Sequence, residues 1–333
     1  MNTPHILGQT RQIARLGKLL SSGTHPHALL FTGPSGIGKR TAAVAFLSAL
    51  FCTGENKPCG ACPSCAQIKA GTFPDLHMIG PNESGVVPVG SADKPEPGSA
   101  RWIIHKLAMK PVGGRAGAII DGIDRMHGDV QNVLLKTIEE PGEGTCLVLI
   151  ASERSRVLPT ILSRCVEIRF SPLREDVIRE IIKGRNESGD ILDFAAAASG
   201  GSAENAIALC DDDYREDIVD ACREITQSMI SGASLNVASP LLSKPKQNAD
   251  SVEILIAAYH HMLRRRARGE APASALFDDI NIDDIPALCS IIKMLLAVKK
   301  GRANNLNAGL HLKALAYRSN NSDLPDPPFS AQL

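Results

Sequence analysis

The stretch that decides the fold reads Ala28-Leu-Leu-Phe-Thr-Gly-Pro-Ser-Gly-Ile-Gly-Lys-Arg-Thr41 and continues as an Ala- and Leu-rich run to Leu50. Its apolar beginning leads into a glycine-rich turn, and the residues after Lys39 have the composition of a buried helix. Strand, GxxxxGK turn and helix in this order are typical of a phosphate-binding P-loop. The stretch therefore predicts an α/β domain whose first core strand ends in such a loop.

Seven residues are candidates for a nucleotide site. Glycines let backbone N–H groups point at phosphate, and Lys39 would add a positive charge near the terminal phosphates. The motif requires Ser or Thr after the lysine to hold magnesium, but Arg40 stands there. Thr41 follows about 100° further round the helix and is expected to point elsewhere. The candidates are Gly33, Gly36, Gly38, Lys39, Arg40, Thr41 and Asp121.

The arginine at position 40 leaves the nucleotide function open. Without its metal ligand, such a loop is expected to bind nucleotide poorly and to hydrolyse it even more poorly. For the fold, the P-loop interpretation is favoured. For ATP binding, the alternative that Gly33–Lys39 is simply a strand–turn–helix corner has equal support.

Composition restricts the class of protein. The chain has 333 residues, more than one ordinary domain, and its 44% hydrophobic content is enough for real cores. The 36 basic and 36 acidic residues cancel, so no overall field draws the chain to nucleic acid or to membrane. The sequence shows neither a signal peptide nor an apolar run long enough to cross a bilayer. We therefore expect a cytoplasmic protein.

Four of the nine cysteines form a tight group, Cys52-x6-Cys59-Gly-Ala-Cys62-Pro-Ser-Cys65. In a reducing cytoplasm, free or metal-bound thiols are more common than disulfides. Four thiolates make a tetrahedral zinc site, and CxxC spacing brings two of them to one ion. Idle thiols in a surface loop are the less favoured alternative. A redox pair is also disfavoured, because it does not require Cys52 and Cys65.

Further strands and helices alternate along the chain. Core strands are expected over 116–121, 146–150 and 166–170, and helices over 11–20, 101–109 and 130–139. This alternation indicates a parallel sheet. An acid at the tip of a buried strand beside a P-loop usually orients magnesium, the role expected of Asp121. ATPases of this layout have a water-polarising Glu next, but here that place is Gly122.

Several separate motifs give the chain a family resemblance. They are His27-Ala-Leu-Leu-Phe31, Gly33–Arg40, the four cysteines, Gly71-Thr-Phe-Pro-Asp75, Leu134-Leu-Lys-Thr-Ile-Glu-Glu-Pro141 and Leu162-Ser-Arg-Cys165. With them the chain resembles bacterial DNA polymerase III clamp loader subunits, and most of all the delta-prime type. These are AAA+ proteins that open the ring-shaped sliding clamp and place it on primed DNA. The resemblance covers residues 1–212, and the rest matches mainly in length and in Asn304-Asn-Leu-Asn307.

The resemblance implies a non-hydrolysing stator of the loader. Arg40 and Gly122 replace groups that ATP hydrolysis needs, and Glu204 stands where hydrolysing subunits have a sensor arginine. An acid there would repel phosphate. By the same resemblance, Arg164 would be the catalytic arginine finger that acts in trans on ATP bound to a neighbour. The sequence alone would favour a structural salt bridge for Arg164, and the motif context reverses that preference. The implied partners are the gamma/tau and delta subunits, with the sliding clamp and primer–template DNA reached through the complex.

The chain is also expected to divide into domains. The resemblance implies an AAA+ domain over 1–172 with a zinc module at 52–65, a helical lid over 173–212 and a helical collar over 213–318. Residues 319–333 have the composition of a disordered tail. Periodicity predicts collar helices near 214–230, 250–268, 283–299 and 305–318. The basic run Arg264-Arg-Arg-Ala-Arg268 is interpreted as the solvated end of a helix rather than as a nucleic-acid site.

Two other functions are alternatives to the stator. A self-sufficient gamma/tau-type ATPase would have the same fold, and nucleotide turnover by the isolated chain would distinguish it. A P-loop small-molecule kinase explains neither the cysteine group nor the helical C-terminal third. The expected cofactor is a structural zinc ion, with ATP or ADP bound weakly or not at all.

Overall fold

The computed structural model describes residues 1, 3, 6–23, 26–82, 85–186, 188–231, 235, 238–243, 250–271, 274–280, 284–303 and 306–319. Contacts divide the chain into two compact units, Met1–Pro172 and Leu173–Leu333. Apart from Ser319, the predicted tail lies outside the described residues, as do Asn304 and Asn305 of the quoted Asn304–Asn307 motif.

The first unit is built on strand β1, Ala28–Thr32, which is buried along its whole length. It pairs in parallel with β4 (Thr145–Ala151) on one side and with β5 (Val166–Arg169) on the other. The unbroken apolar sequence of β1 is what a strand covered on both faces requires. Strands β3 (Ala116–Asp121) and β2 (Leu76–Ile79) complete a parallel sheet of order β2-β3-β4-β1-β5.

Six helices are described in the first unit. They are α1 Thr10–Ser21, α2 Lys39–Phe51, α3 Pro63–Ala70, α4 Ala100–Ala108, α5 Gly128–Glu139 and α6 Pro159–Leu162. The core of the unit lies where buried residues of α4 and α5 meet strands β3 and β4, and it includes Ile103, Leu134, Ile120 and Leu149.

Most of these elements were predicted from the sequence. The three strands expected over 116–121, 146–150 and 166–170 are confirmed as β3, β4 and β5. Strand β2 was not predicted, because it lies at the edge of the sheet and only Ile79 among its four residues is buried. Helix α3 was also not predicted, since it is short and begins inside the cysteine group.

The second unit has helices as its regular elements throughout the residues described there. They are α7 Glu175–Ile182, α8 Gly189–Ala198, α9 Ala203–Leu209, α10 Asp212–Ser231, α11 Ala238–Ser243, α12 Ser251–Ala267, α13 Ile285–Ala303 and α14 Ala308–Ser319, with a 3₁₀ turn at Ala275–Ile280. The four helices predicted for the collar correspond to α10, α12, α13 and α14. The basic run lies at the end of α12, as interpreted. The division into lid and collar stays a prediction.

A buried glutamine joins the start of the chain to the P-loop segment Gly33–Lys39, called the phosphate loop below. Gln9 is 1% exposed, and its Nε2 donates to the carbonyl oxygens of Ile37 (3.2 Å) and Ser171 (2.8 Å). Ile37 belongs to the loop, and Ser171 follows β5. The side chain thus ties the loop to the chain segment after β5.

The loop begins at a position that accepts no side chain. Gly33 has φ +138°, a backbone conformation that L-residues rarely adopt, and a Cβ there would overlap the carbonyl oxygen of Phe170. The backbones after β1 and after β5 therefore approach more closely than any other residue allows.

We predict that Gly33→Ala lowers the free energy of unfolding of the first unit by about 3 kcal/mol or more, because backbone strain and steric overlap add. Gly114→Ala is the matched control. Gly114 also has positive φ, +74°, but nothing lies within 4 Å of the place that a Cβ would take, so strain alone should cost about 1 kcal/mol. Urea unfolding followed by fluorescence of Trp102, the single tryptophan of the chain, measures both. Equal losses would show that the approach to Phe170 is unimportant.

Candidate nucleotide and metal sites

The phosphate loop connects the end of β1 to the first turn of α2. Gly33, Gly36 and Gly38 all have positive φ, and α2 begins directly at Lys39. The Lys39 side chain is 5% exposed and folds back over the loop. Its ammonium donates to the carbonyl oxygens of Gly33, at 2.6 Å, and of Pro34. The loop therefore combines left-handed glycines with a helix N-terminus, and its lysine is held by carbonyl groups of the loop itself.

Cations surround the place where magnesium would bind. The exposed Arg40 comes to 4.0 Å from Asp121, measured from Nη1 to Oδ2, at the carboxyl end of β3. Burial raises the pKa of Asp121, and the charges of Arg40, Lys39 and Arg125 act in the opposite direction. Thr41 is exposed. Because a guanidinium beside the carboxylate repels a divalent cation, these residues do not fit a magnesium site.

The position after Asp121 is a glycine with a left-handed backbone. Gly122 has φ +82°, and a Cβ added there would lie 3.2 Å from Cγ of Pro81. A glutamate at this position would be strained. The main chain here is therefore shaped for glycine.

Asp124 is a buried acid that the sequence analysis did not single out. It is 4% exposed, and its Oδ2 accepts hydrogen bonds from the backbone N–H groups of Ser152 (3.2 Å) and Glu153 (2.9 Å). Both donors directly follow β4. Asp124 thus joins the ends of β3 and β4, and the acidic pattern Asp121-Gly-Ile-Asp124 was its signal in the sequence.

The four predicted cysteines come together. Their Sγ atoms all lie within 4.8 Å of one another. Cys52 follows the last residue of α2, and Cys62 precedes Pro63, the first residue of α3. Backbone N–H groups point at sulfur: Cys52 Sγ accepts from Gly54 and from Cys59 at 3.3 Å, and Cys59 Sγ accepts from Cys62 at 3.2 Å. Such donors favour thiolates.

The acidities of the cluster follow from the same contacts. Hydrogen bonds from the backbone of Cys65 and Thr53 lower the pKa of Cys62 to about 5, and those from Ala61 and Cys62 lower the pKa of Cys59. Burial raises the pKa of Cys65 to about 12, and its interactions with Cys62 and Cys52 act in the same direction. Neighbouring thiolates raise one another's pKa unless a cation neutralises them. The cluster could therefore bind a metal ion, and its donor set fits zinc.

Arg164 lies between α6 and β5, near the end of α5. Its Nε is 2.5 Å from Oε1 of Glu139, and its Nη1 donates to the carbonyl oxygen of Thr160 (3.1 Å) and to Oγ of Ser163 (3.3 Å). The side chain is 40% exposed. Glu139 belongs to a quoted motif, but the sequence analysis gave it no role, since 25 residues separate it from Arg164.

Glu204 belongs to the second compact unit. It lies in the first turn of α9, after the N-cap Ser202, whose hydroxyl accepts from the backbone N–H of Asn205. An acid in the first turn of a helix is favourable for the helix itself. Its predicted role as a lost phosphate sensor stays a prediction.

Within the described ranges, no helix combines the length and the apolar character that crossing a membrane requires.

Comparison with known proteins gives the family. A family model described as DNA polymerase III, delta subunit, matches residues 8–174, half of the chain. The chain belongs to this family. The delta' subunit of Pseudomonas aeruginosa DNA polymerase III is 32% identical over 246 residues, which are 69% of this chain and 72% of that subunit. The chain is therefore a DNA polymerase III clamp loader subunit of delta-prime type with the AAA+ fold, as the sequence motifs predicted.

Two other relatives align with this delta-prime-type subunit over a smaller share of their own length. The delta' subunit of Bacillus subtilis is 31% identical over 192 residues, 57% of this chain and 56% of that protein. The tau/gamma subunit of Haemophilus influenzae is 29% identical over 313 residues, 90% of this chain but 42% of its own length. The chain thus spans about half the length of these two relatives.

Proposed function

We propose that this chain is the non-hydrolysing stator of a DNA polymerase III clamp loader. The observation that carries the proposal is the approach of Arg40 to Asp121 at 4.0 Å, where an active P-loop enzyme would hold magnesium. The backbone at Gly122, with φ +82°, adds to it, since it disfavours the acid that would polarise water. Both features remove parts that phosphoryl transfer needs.

The phosphate loop of the stator would bind ATP or ADP weakly or not at all. Its glycines and the N-terminus of α2 can still offer N–H groups to phosphate. Lys39, however, would have to leave its hydrogen bonds with Gly33 and Pro34 to reach a nucleotide. The loop then serves mainly as a rigid corner between β1 and α2.

The proposed partners are the gamma/tau and delta subunits, and through them the sliding clamp and primed DNA in the cytoplasm. The names of the relatives, delta' and tau/gamma, support an assembly of this kind. The formal net charge of zero supports DNA contact through the complex rather than by this chain alone. Residues 1–172 would form the AAA+ domain, 173–212 the lid and 213–318 the collar.

Zinc would be held by Cys52, Cys59, Cys62 and Cys65. The four sulfur atoms lie within 4.8 Å of one another, and protein thiolates would fill all four positions of a tetrahedral ion. Such a site leaves no place for a reactive water. Its contribution is therefore to stability, by joining the end of α2 to the start of α3.

Arg164 would act on ATP bound to a neighbouring ATPase subunit. A guanidinium stays charged at all relevant pH values, and its planar fork matches phosphate oxygens. As water attacks and ADP leaves, it would stabilise the negative charge on the transferred phosphoryl group. The partial exposure of Arg164 in the isolated chain supports a role towards another molecule.

A gamma/tau-type ATPase is the second candidate. The tau/gamma relative of Haemophilus influenzae aligns with 90% of this chain, and the loop keeps the three glycines and Lys39. The arrangement around Asp121 argues against this candidate.

We predict no measurable steady-state ATP hydrolysis by the isolated chain, because the site lacks its magnesium ligand and its water-polarising acid. The assay measures released phosphate, with Lys39→Ala as the matched control for contaminating ATPase. Turnover that Lys39→Ala abolishes would refute the stator and support the gamma/tau candidate.

We predict about one zinc ion per chain in the pure protein by metal analysis, from the four-thiolate rule. Cys62→Ser should lose the ion and lower the midpoint of thermal unfolding, because metal binding is coupled to folding. Cys289→Ser, which removes a thiol outside the cluster, is the control and should keep the ion. Folded wild-type protein without any bound metal would contradict this prediction.

We predict that Arg164→Ala leaves folding, zinc and assembly intact but slows clamp-stimulated ATP hydrolysis by the reconstituted loader. Arginine fingers contribute roughly 10³–10⁵ in rate, and a ring with several of them loses less when one is removed. Arg164→Lys should restore little, because an ammonium lacks the planar fork. An unchanged rate in fully assembled Arg164→Ala complexes would return Arg164 to a structural role.

A further inference from the structure

Two of the three guanidinium nitrogen atoms of Arg164, Nε and Nη1, have partners among the described residues. Nε lies 2.5 Å from the Glu139 carboxylate, and Nη1 donates to Thr160 and Ser163. Nη2 has no hydrogen bond to any residue in the described part of the chain. The contacts thus fix the guanidinium plane and leave its outer edge available to a ligand.

Glu139 occupies a position that helix stability does not explain. It is the last residue of α5, and a negative charge at the C-terminus of a helix is electrostatically unfavourable. Its ion pair with Arg164 is also half exposed, 45% for Glu139 and 40% for Arg164, and exposed pairs contribute little to stability. The contact is therefore better explained by what it does to Arg164.

We propose that Glu139 is the positioning residue of Arg164: it holds the guanidinium so that Nη2 faces the γ-phosphate of ATP bound to a neighbouring subunit. This inference rests on the proposed role of Arg164 as a finger acting in trans. A free arginine side chain has many rotamers, and ordering it on contact with phosphate costs conformational entropy. With Glu139 in place, part of that ordering precedes contact with the neighbour.

The position of Glu139 predicts a kinetic effect confined to the chemical step. The finger acts on charge that develops as the phosphoryl group is transferred, so a misplaced finger lowers kcat and leaves the KM for ATP unchanged. Assembly should not change, since Glu139 makes its ion pair within the first compact unit.

The experiment compares loaders reconstituted with wild-type chain, Glu139→Gln, Glu139→Ala, Arg164→Ala and the Arg164→Ala/Glu139→Ala double variant. The matched control is Glu140→Gln, which removes an exposed carboxylate one residue further on, for which the described residues show no ion pair. Clamp- and DNA-stimulated ATP hydrolysis is measured, and co-purification with the complex confirms assembly of each variant.

We expect Glu139→Ala to lower kcat by about threefold to tenfold. Glu139→Gln keeps the shape and the polar end of the side chain but removes its charge, so it should lower kcat less. Glu140→Gln should have no effect. In the Arg164→Ala background, Glu139→Ala should cause no further loss, because it acts through Arg164.

Four outcomes would overturn the inference. An equal further loss in the Arg164→Ala background would show that Glu139 acts independently, and faster hydrolysis by Glu139→Gln would show restraint instead of positioning. If Arg164→Ala slows hydrolysis and Glu139→Ala does not, positioning alone is wrong. If Arg164→Ala has no effect, the proposed finger is wrong and the inference fails with it.

Discussion

The burial of β1 is the constraint on which the rest of the first unit depends. A strand paired in parallel on both edges and covered on both faces cannot shift without exposing its whole apolar sequence. Its carboxyl end is therefore a fixed point. The phosphate loop, Asp121 at the end of β3 and the chain after β5 all lie at this edge of the sheet. The approach of Gly33 to Phe170 and the hydrogen bonds of Gln9 then leave the loop little freedom.

The charged groups at this edge of the sheet differ from those of a magnesium-dependent enzyme. There, carboxylate and hydroxyl oxygens surround a divalent cation, which in turn holds phosphate. Here Lys39, Arg40 and Arg125 all act on the Asp121 carboxylate. Under the proposed stator function, the Arg40 guanidinium lies beside the carboxylate that would otherwise help to hold magnesium.

Sequence reasoning was most successful where one local pattern is decisive. The apolar run and glycines of 28–39 predicted β1 and its loop, and cysteine spacing predicted the cluster, because both depend on neighbours in the chain. It missed β2, whose edge position leaves an ambiguous four-residue pattern. It also missed the Glu139–Arg164 pair, because no short-range signal shows that the end of α5 lies beside residue 164. Long-range pairs depend on how elements pack, which a single sequence does not contain.

The left-handed backbone at Gly122 has a consequence for how this protein could change over evolutionary time. A catalytic acid there would have to adopt a left-handed backbone conformation, since φ is +82°, which costs about 1–2 kcal/mol. Under the proposed stator function, a serine or threonine at position 40 alone would supply a metal ligand to a site without that acid, and an acid at position 122 alone would lack the ligand. Hydrolysis would then need two substitutions, one of them against the course of the main chain.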